Sequence, residues 1–224
     1  MGKRGPKPKD PTSIIWTSEL AYAIGLIATD GCLYNDGRHI NLTSKDLDQI
    51  ETFKKCLGKN NKVGLKSSGF SKQRKYYYVQ IGDVGLYRFL QQVGLTPRKS
   101  LTIGELLIPD QFFFDFLRGS FDGDGTIYSF WDKRWHSSYM FYINFISASL
   151  NHLEWLQKKV YNLTGAKGVI KPGVRAYKLE FAKKSSTDIL RRMYHSSNSP
   201  RLERKFLKAL RILSTNLPVF LTKS

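Results

Sequence analysis

Acidic residues are scarce in this chain. Eighteen Asp and Glu face thirty-six Lys and Arg, for a formal net charge of +18 over 224 residues. That imbalance excludes an average soluble enzyme and points to a polyanionic partner, nucleic acid ahead of an anionic membrane. Cysteine is almost missing: Cys32 and Cys56 are too few for a disulfide framework or a cysteine-based zinc site. They imply an intracellular, reducing compartment, either a bacterial or archaeal cytoplasm or an organelle matrix. No apolar run approaches the roughly 18 residues of a membrane span, and the first residues lack a signal-peptide pattern, so no membrane association is expected. The histidines at 39, 136, 152 and 195 form no pair at metal-ligand spacing, and no nucleophile elbow or phosphate-cradling glycine loop is present. Hydrophobic residues make up 41%, enough for a core and against global disorder.

What is present falls into two similar halves. Residues 1–12 are basic and rich in Pro and Gly, an extended arm suited to a DNA groove or simply to solvent. Helical spacing then predicts a helix over 18–30, stopped by Gly31 in the usual C-terminal position. A hairpin is expected around Asp36-Gly37 (32–36 and 38–44), followed by a helix over 46–57, strands over 62–67 and 74–81, and a helix over 84–93. The second half repeats the order. A helix ends at Asp124, strands lie near 126–132 and 138–147, and a helix covers 150–163. Strands near 167–172 and 175–182 follow, then a helix over 185–194 and an additional one over 200–213.

The repeat is also visible in residues. Ala23-Ile24-Gly25-Leu26-Ile27-Ala28-Thr29-Asp30-Gly31 and Leu117-Arg118-Gly119-Ser120-Phe121-Asp122-Gly123-Asp124-Gly125 share Gly at the third position, a small residue at the seventh and a terminal Asp-Gly. Matched positions drift slowly apart, by 94 residues for Asp30 and Asp124, 103 for Asn41 and Asn144, and 106 for Lys99 and Lys205. Small loop insertions in a duplicated domain produce such ordered growth. Gly25 with Thr29, and Gly119 with Gly123, place small residues on one helix face, where two helices could pack closely. The alternative is a small-residue face against the helix's own sheet. An Asp at a helix C-terminus opposes the macrodipole. Two of them, with no cation nearby in sequence, suggest positive charge from a divalent metal.

On these two nonamers the chain resembles the LAGLIDADG homing endonucleases, of the single-chain type with two motifs. Ala28 and Thr29 depart from the residues common at the sixth and seventh positions, leaving the eighth-position acids intact. The resemblance implies an α+β protein of two pseudo-symmetric αββαββα subdomains, with antiparallel strands forming a saddle and helices on the opposite face. Residues 13–108 would be the first subdomain with its linker, and 109–224 the second. It implies a monomer cutting one phosphodiester per strand of double-stranded DNA, at a long asymmetric target, to leave staggered 3′ ends. Asp30 and Asp124 would be catalytic and hold metal, Mg²⁺ or Mn²⁺, with Ca²⁺ able to bind without supporting cleavage. Lys99 and Lys205 would assist by stabilising phosphate charge or tuning the attacking water, with plain phosphate binding or surface charge as the alternative. Ser44 and Ser147 match positions that order water in the family, but each also suits the N-cap of the next helix, the reading preferred here. Asp122 is read as a surface or capping carboxylate at least as readily as a metal ligand.

Alternation assigns the strand faces. With Ile40, Leu42, Val79, Ile81, Ile143, Phe145, Leu179 and Phe181 inward, the outward set is His39, Asn41, Thr43, Arg74, Tyr76, Tyr78, Gln80, Tyr142, Asn144 and Lys178. Tyr34, Arg38, Lys66, Tyr128, Lys133, Arg134 and Lys171 complete the candidate DNA-binding surface, since such side chains can bond base edges in a major groove. The plain alternative is a solvated polar face. Two further functions remain open at this level: an intron RNA maturase, and a DNA-binding regulator that does not cut, against which two retained terminal acids argue.

Overall fold

The computed structural model describes residues 14–67 and 74–215. The arm expected over 1–12 and the side chain of Arg74 lie outside them. The first half runs α1 (Ser18–Thr29), β1 (Gly31–Leu33), β2 (His39–Ser44), α2 (Leu47–Cys56), β3 (Val63–Ser67), β4 (Arg74–Gly82) and α3 (Val84–Val93). The second runs α4 (Phe113–Asp124), β5 (Thr126–Trp131), β6 (Tyr139–Ser147), α5 (Leu150–Thr164), β7 (Gly168–Pro172), β8 (Tyr177–Ala182), α6 (Lys183–Met193) and α7 (Glu203–Thr215). Each half forms one antiparallel sheet of four strands, ordered β1-β2-β4-β3 and β5-β6-β8-β7. The fold is thus α+β and internally repeated, as expected.

Local signals account for the boundaries. Thr17 caps α1 by accepting from the Leu20 amide at 3.1 Å, and Asp83 caps α3 by accepting from Leu86 at 2.9 Å. Gly94 and Gly165 end α3 and α5 in left-handed conformation, at φ 111° and 72°. Gly31 differs from expectation. It is the first residue of β1, paired with Leu42, and not a left-handed cap. Its small size matters because β1 folds straight back over α1: a Cβ there would lie 2.5 Å from the Ile27 Cα. Ser44 and Ser147 are not the helix N-caps either. Those positions belong to Asp46 and Ser149. The two serine hydroxyls instead accept from the amides of Asp46 (3.0 Å) and Ser149 (3.1 Å), turns that lead into the helices.

Inward residues of both sheets meet the helices in one continuous core, with Ile40, Leu42, Ile143, Leu179 and Phe181 at zero exposure. The two halves join along α1 and α4. A Cβ on Gly25 would sit 2.2 Å from the Phe116 carbonyl oxygen, and one on Gly119 would sit 2.1 Å from that of Tyr22. The seam is therefore backbone against backbone, and any larger side chain at either position would force the helices apart. The alternative of a small-residue face against the helix's own sheet is set aside. Tyr22, buried in the seam, donates its hydroxyl to Asp122 of the other half at 2.9 Å.

Candidate active site

The close seam carries the ends of α1 and α4 together. Asp30 and Gly123 are near enough that a Cβ on Gly123 would lie 3.3 Å from Asp30 Oδ2. Both terminal carboxyls are raised. Asp30 and Asp124 both keep exposed surface, but protein crowding around the Asp30 carboxyl removes part of its hydration, and this and then the charge of Asp124 push its pKa to about 6, against the pull of Lys205 and Lys99. For Asp124, such crowding raises it against the same two lysines. Asp30, Asp124, Lys99 and Lys205 thus form one electrostatic cluster.

The lysines are interior, which sets aside the surface-charge alternative. Lys99 is 4% exposed and Lys205 8%. Lys205 Nζ donates to the carbonyls of Phe121 (2.6 Å), Gly123 (3.0 Å) and Gly125 (2.7 Å), closing the C-terminal turn of α4. Lys99 Nζ donates to Gly31 at 2.6 Å. Arg98, in the left-handed region at φ 57°, turns the chain so that Lys99 points inward. These ammonium groups are the cations at the helix ends, delivered from 68 or more residues away in sequence. The macrodipole argument for a metal therefore loses force. What remains is that two lysines leave both acids above the usual carboxylate range. Burial also lowers the lysines, Lys205 to about 8, although neighbouring acids raise it.

A pocket opens beside each acid. The one of about 350 Å³ at Asp30 is lined by Thr43, Ser44, Lys45, Asp46, Gln49, Tyr76 and Arg204. The one of about 150 Å³ at Asp124 is lined by Thr29, Ser100, Ser120, Ser147, Ala148 and His152. Ser44 and Ser147 therefore line equivalent places in the two pockets. Sequence reasoning missed Gln49 and His152, which are also equivalent. Gln49 donates to the Asp122 carbonyl at 3.0 Å. Burial pushes His152 down to about 4, so its neutral ring donates from Nδ1 to the Gly104 carbonyl at 2.8 Å. Arg204 grips Asp46 at 2.8 Å, joining the halves across the first pocket.

Asp122 is not a surface carboxylate. It is 1% exposed, and Oδ2 accepts from Tyr22 and from the Leu202 amide at 2.7 Å. It fixes the chain just before Lys205. Burial raises it to about 6 against those hydrogen bonds. Among the described residues no group of three His, Cys, Asp or Glu is arranged to hold a metal. Asp30 and Asp124 supply hard carboxylate oxygens of the kind Mg²⁺ takes one or two at a time, its remaining positions being filled by phosphate and water. The donor set fits that ion and not zinc.

The expected nucleic-acid surface is partly open. Cross-strand partners place Asn41 with Cys32 and Gln80, and Thr43 with Tyr78, on the outward face. Tyr34, Arg38, Lys66, Gln80, Tyr128, Lys133 and Arg134 are exposed, while His39, Thr43, Tyr76, Tyr78 and Tyr142 are partly so. Asn41 and Asn144 correct the reading: they face outward but are only 7% and 2% exposed, because both stand on inner strands with a neighbour on either side. Asn41 Oδ1 accepts from the Thr43 hydroxyl at 3.1 Å, and Asn144 donates to Thr126 at 3.2 Å. His39 is paired with Asp36. Lys171 and Lys178 both hold Glu180, an acid on the same face that sequence reasoning passed over. Its outward parity with Lys178 was the available signal. Burial works to raise Glu180, but Lys171, Lys178 and Tyr128 override it and hold it at about 2.

Comparisons agree with this architecture. Residues 17–94 match the family model described as LAGLIDADG-like domain. No curated protein matches the chain significantly. Among solved structures, the LAGLIDADG meganuclease I-AabMI bound to uncleaved DNA aligns at TM-score 0.59 and 14% identity, over 86% of this chain and 88% of that one. I-DmoI in complex with DNA and Ca aligns at 0.56 and 16%, over 85% and 97%. Full-length DUF199/WhiA from Thermatoga maritima aligns at 0.57 and 15%, over 94% of this chain and 65% of its own length, so the chain spans just under two thirds of that protein. Among the described residues no helix is long and apolar enough to cross a membrane. Residues 17–94 are thus a LAGLIDADG-like domain, and the chain as a whole has the two-subdomain LAGLIDADG fold.

Proposed function

We propose that the chain is a site-specific double-strand DNA endonuclease that works as a monomer. It would hydrolyse one phosphodiester on each strand of a long asymmetric site and leave staggered 3′ overhangs. The observation carrying this reading is the meeting of Asp30 and Asp124 at the end of a glycine seam, both with raised carboxyls and each beside its own pocket. Two equivalent acids suit two scissile phosphates. Asp30 and Asp124 would hold Mg²⁺ or Mn²⁺, and when bound the cation supplies charge against the phosphate and makes water a better nucleophile. Structures of similar fold are described with DNA and Ca. Lys99 and Lys205 act without leaving the interior: bound to backbone carbonyls, they fix the turns that carry the acids and keep the positive potential high. The two sheets present Arg38, Lys66, Gln80, Tyr128 and Arg134 to the duplex.

A DNA-binding protein that does not cut is the second reading. The Lys205 cap favours it, because a buried ammonium on three carbonyls makes the acid at that helix end tolerable without metal. Selection from a randomised duplex pool decides. With Mg²⁺ the endonuclease reading expects enriched sites cut on both strands with 3′ overhangs, and bound but uncut sites with Ca²⁺. Sites that are enriched but never cut favour the second reading. Preferential binding of a structured intron RNA over every duplex would point to a maturase and overturn both.

A further inference from the structure

The two open sheet faces differ in chemistry. On the first, Lys45 and Lys66 stand over the rings of Tyr76 (5.5 Å) and Tyr78 (5.9 Å), beside Gln80 and His39. The second has an apolar end. Tyr128 pairs across the strands with Tyr142, and Phe130 with Met140, which puts all four on one face. The rings of Tyr128, Phe130 and Tyr142 are nearly parallel, with interplanar angles of 10–15° and centroids 5.2–6.4 Å apart. Tyr128 and Phe130 remain 39% and 45% exposed. The Tyr128 hydroxyl donates to Glu180 at 2.9 Å, so its ring, and not its oxygen, is what it offers outward.

We infer that Tyr128, Phe130, Met140 and Tyr142 read thymine methyl groups in the half-site under the second sheet. The inference rests on the duplex-DNA reading proposed above. Of the groups lining a major groove, the thymine 5-methyl is the apolar one, and apolar side chains recognise it by contact. Stacking on unpaired bases is the other use of exposed aromatics, but it needs open ring faces. Here each ring lies nearly parallel to the other two at 5.2–6.4 Å, so its neighbours occupy part of the space a stacked base would need. RNA is disfavoured twice, since uracil lacks the methyl and the A-form major groove does not admit side chains. The Tyr128–Phe130 spacing of 6.4 Å also lies near two base-pair steps, about 6.8 Å. The patch continues into Lys171 and Lys178, so it belongs to the proposed DNA face and not to a separate docking site.

The test takes the duplex selected above, in Ca²⁺, and replaces thymine by deoxyuridine in one half-site at a time. This removes the methyl and nothing else. Affinity should fall about fourfold per methyl in one half-site and stay unchanged in the other. Phe130→Ser, at an exposed position, should bind the thymine duplex more weakly and lose its sensitivity to deoxyuridine in that same half. Equal affinity for thymine and deoxyuridine duplexes overturns the inference while leaving the nuclease reading intact. So does unchanged sensitivity in Phe130→Ser, or single-stranded RNA outcompeting the duplex at this patch. Failure to select any duplex overturns the nuclease reading, and the inference with it.

Discussion

Substituting Gly119 by Ala tests the seam on which the site depends. The added Cβ would lie 2.1 Å from the Tyr22 carbonyl oxygen, 2.9 Å from the Tyr22 carbonyl carbon and 3.1 Å from the Gly25 Cα. An ordinary contact needs about 3.4 Å, and all three obstacles are backbone, so no side chain can swing away; α1 and α4 must part by about 1 Å. Overpacking of this kind costs about 1–3 kcal/mol, and the rigid neighbour puts the cost near the top of that range. Ala gains up to about 1 kcal/mol of helix propensity over Gly, leaving a net loss of about 2 kcal/mol. For a chain of this size that lowers Tm by about 4–8 °C. Cleavage should suffer more than stability, because an error of about 1 Å in placing the acids can cost about 100-fold in rate. Gly104→Ala is the control, with nothing within 4 Å of its Cβ. Thermal melts and cleavage rates of both variants provide the measurement. A Gly119→Ala protein melting with the parent and cutting at the parent's rate would refute the close-seam argument.

Four groups give further expectations. Asp122→Ala strips the acceptor from Tyr22 and Leu202 and should cost roughly 2–4 kcal/mol, while Asp122→Asn keeps that acceptor and should melt near the parent at acid pH, where the parent carboxyl is neutral. The Asp122 pKa is higher folded than unfolded, so its ionisation works against folding. This penalty is absent below pH 4 and reaches about 3 kcal/mol above pH 6, so parent melts should lose stability relative to Asp122→Asn as pH rises through that window. Lys205→Met removes a donor from three carbonyls, of which Phe121 keeps only the Gly125 amide at 2.9 Å, and Lys99→Met removes a donor from one, so Lys205→Met should lower Tm further; the reverse order in melts counts against their capping role. Protons and metal should compete for Asp30, whose carboxyl is raised to about 6 in the metal-free protein, so the Mg²⁺ concentration needed for half-maximal cleavage should rise as pH falls from 7 to about 5, and an unchanged requirement contradicts that assignment.

The fold was readable because each signal is local. The helix over 84–93 and the turn at Asp36-Gly37 (Gly37 at φ 75°) stand where periodicity and turn chemistry put them. Helix pairing was readable through Gly25 and Gly119, since a duplicated glycine phrase has few other uses. What could not be read was made by distant contacts. Lys205 reaches α4 from 80 residues away, and no sequence window shows the cation it brings to the helix end. Asn41 and Asn144 show another limit: alternation gives the face a side chain takes, not how deeply neighbours on adjacent strands shield it. Glu180 was passed over because an acid in a basic face reads as an exception, although it organises Lys171, Lys178 and Tyr128.

Strand-resolved cleavage of a selected duplex by Asp30→Asn and Asp124→Asn tests the central claim most directly, with affinity measured in Ca²⁺. The account predicts that each single variant binds within about twofold of the parent, a change of less than about 0.5 kcal/mol, and no longer makes a double-strand break in Mg²⁺. Both variants still severing both strands would contradict it.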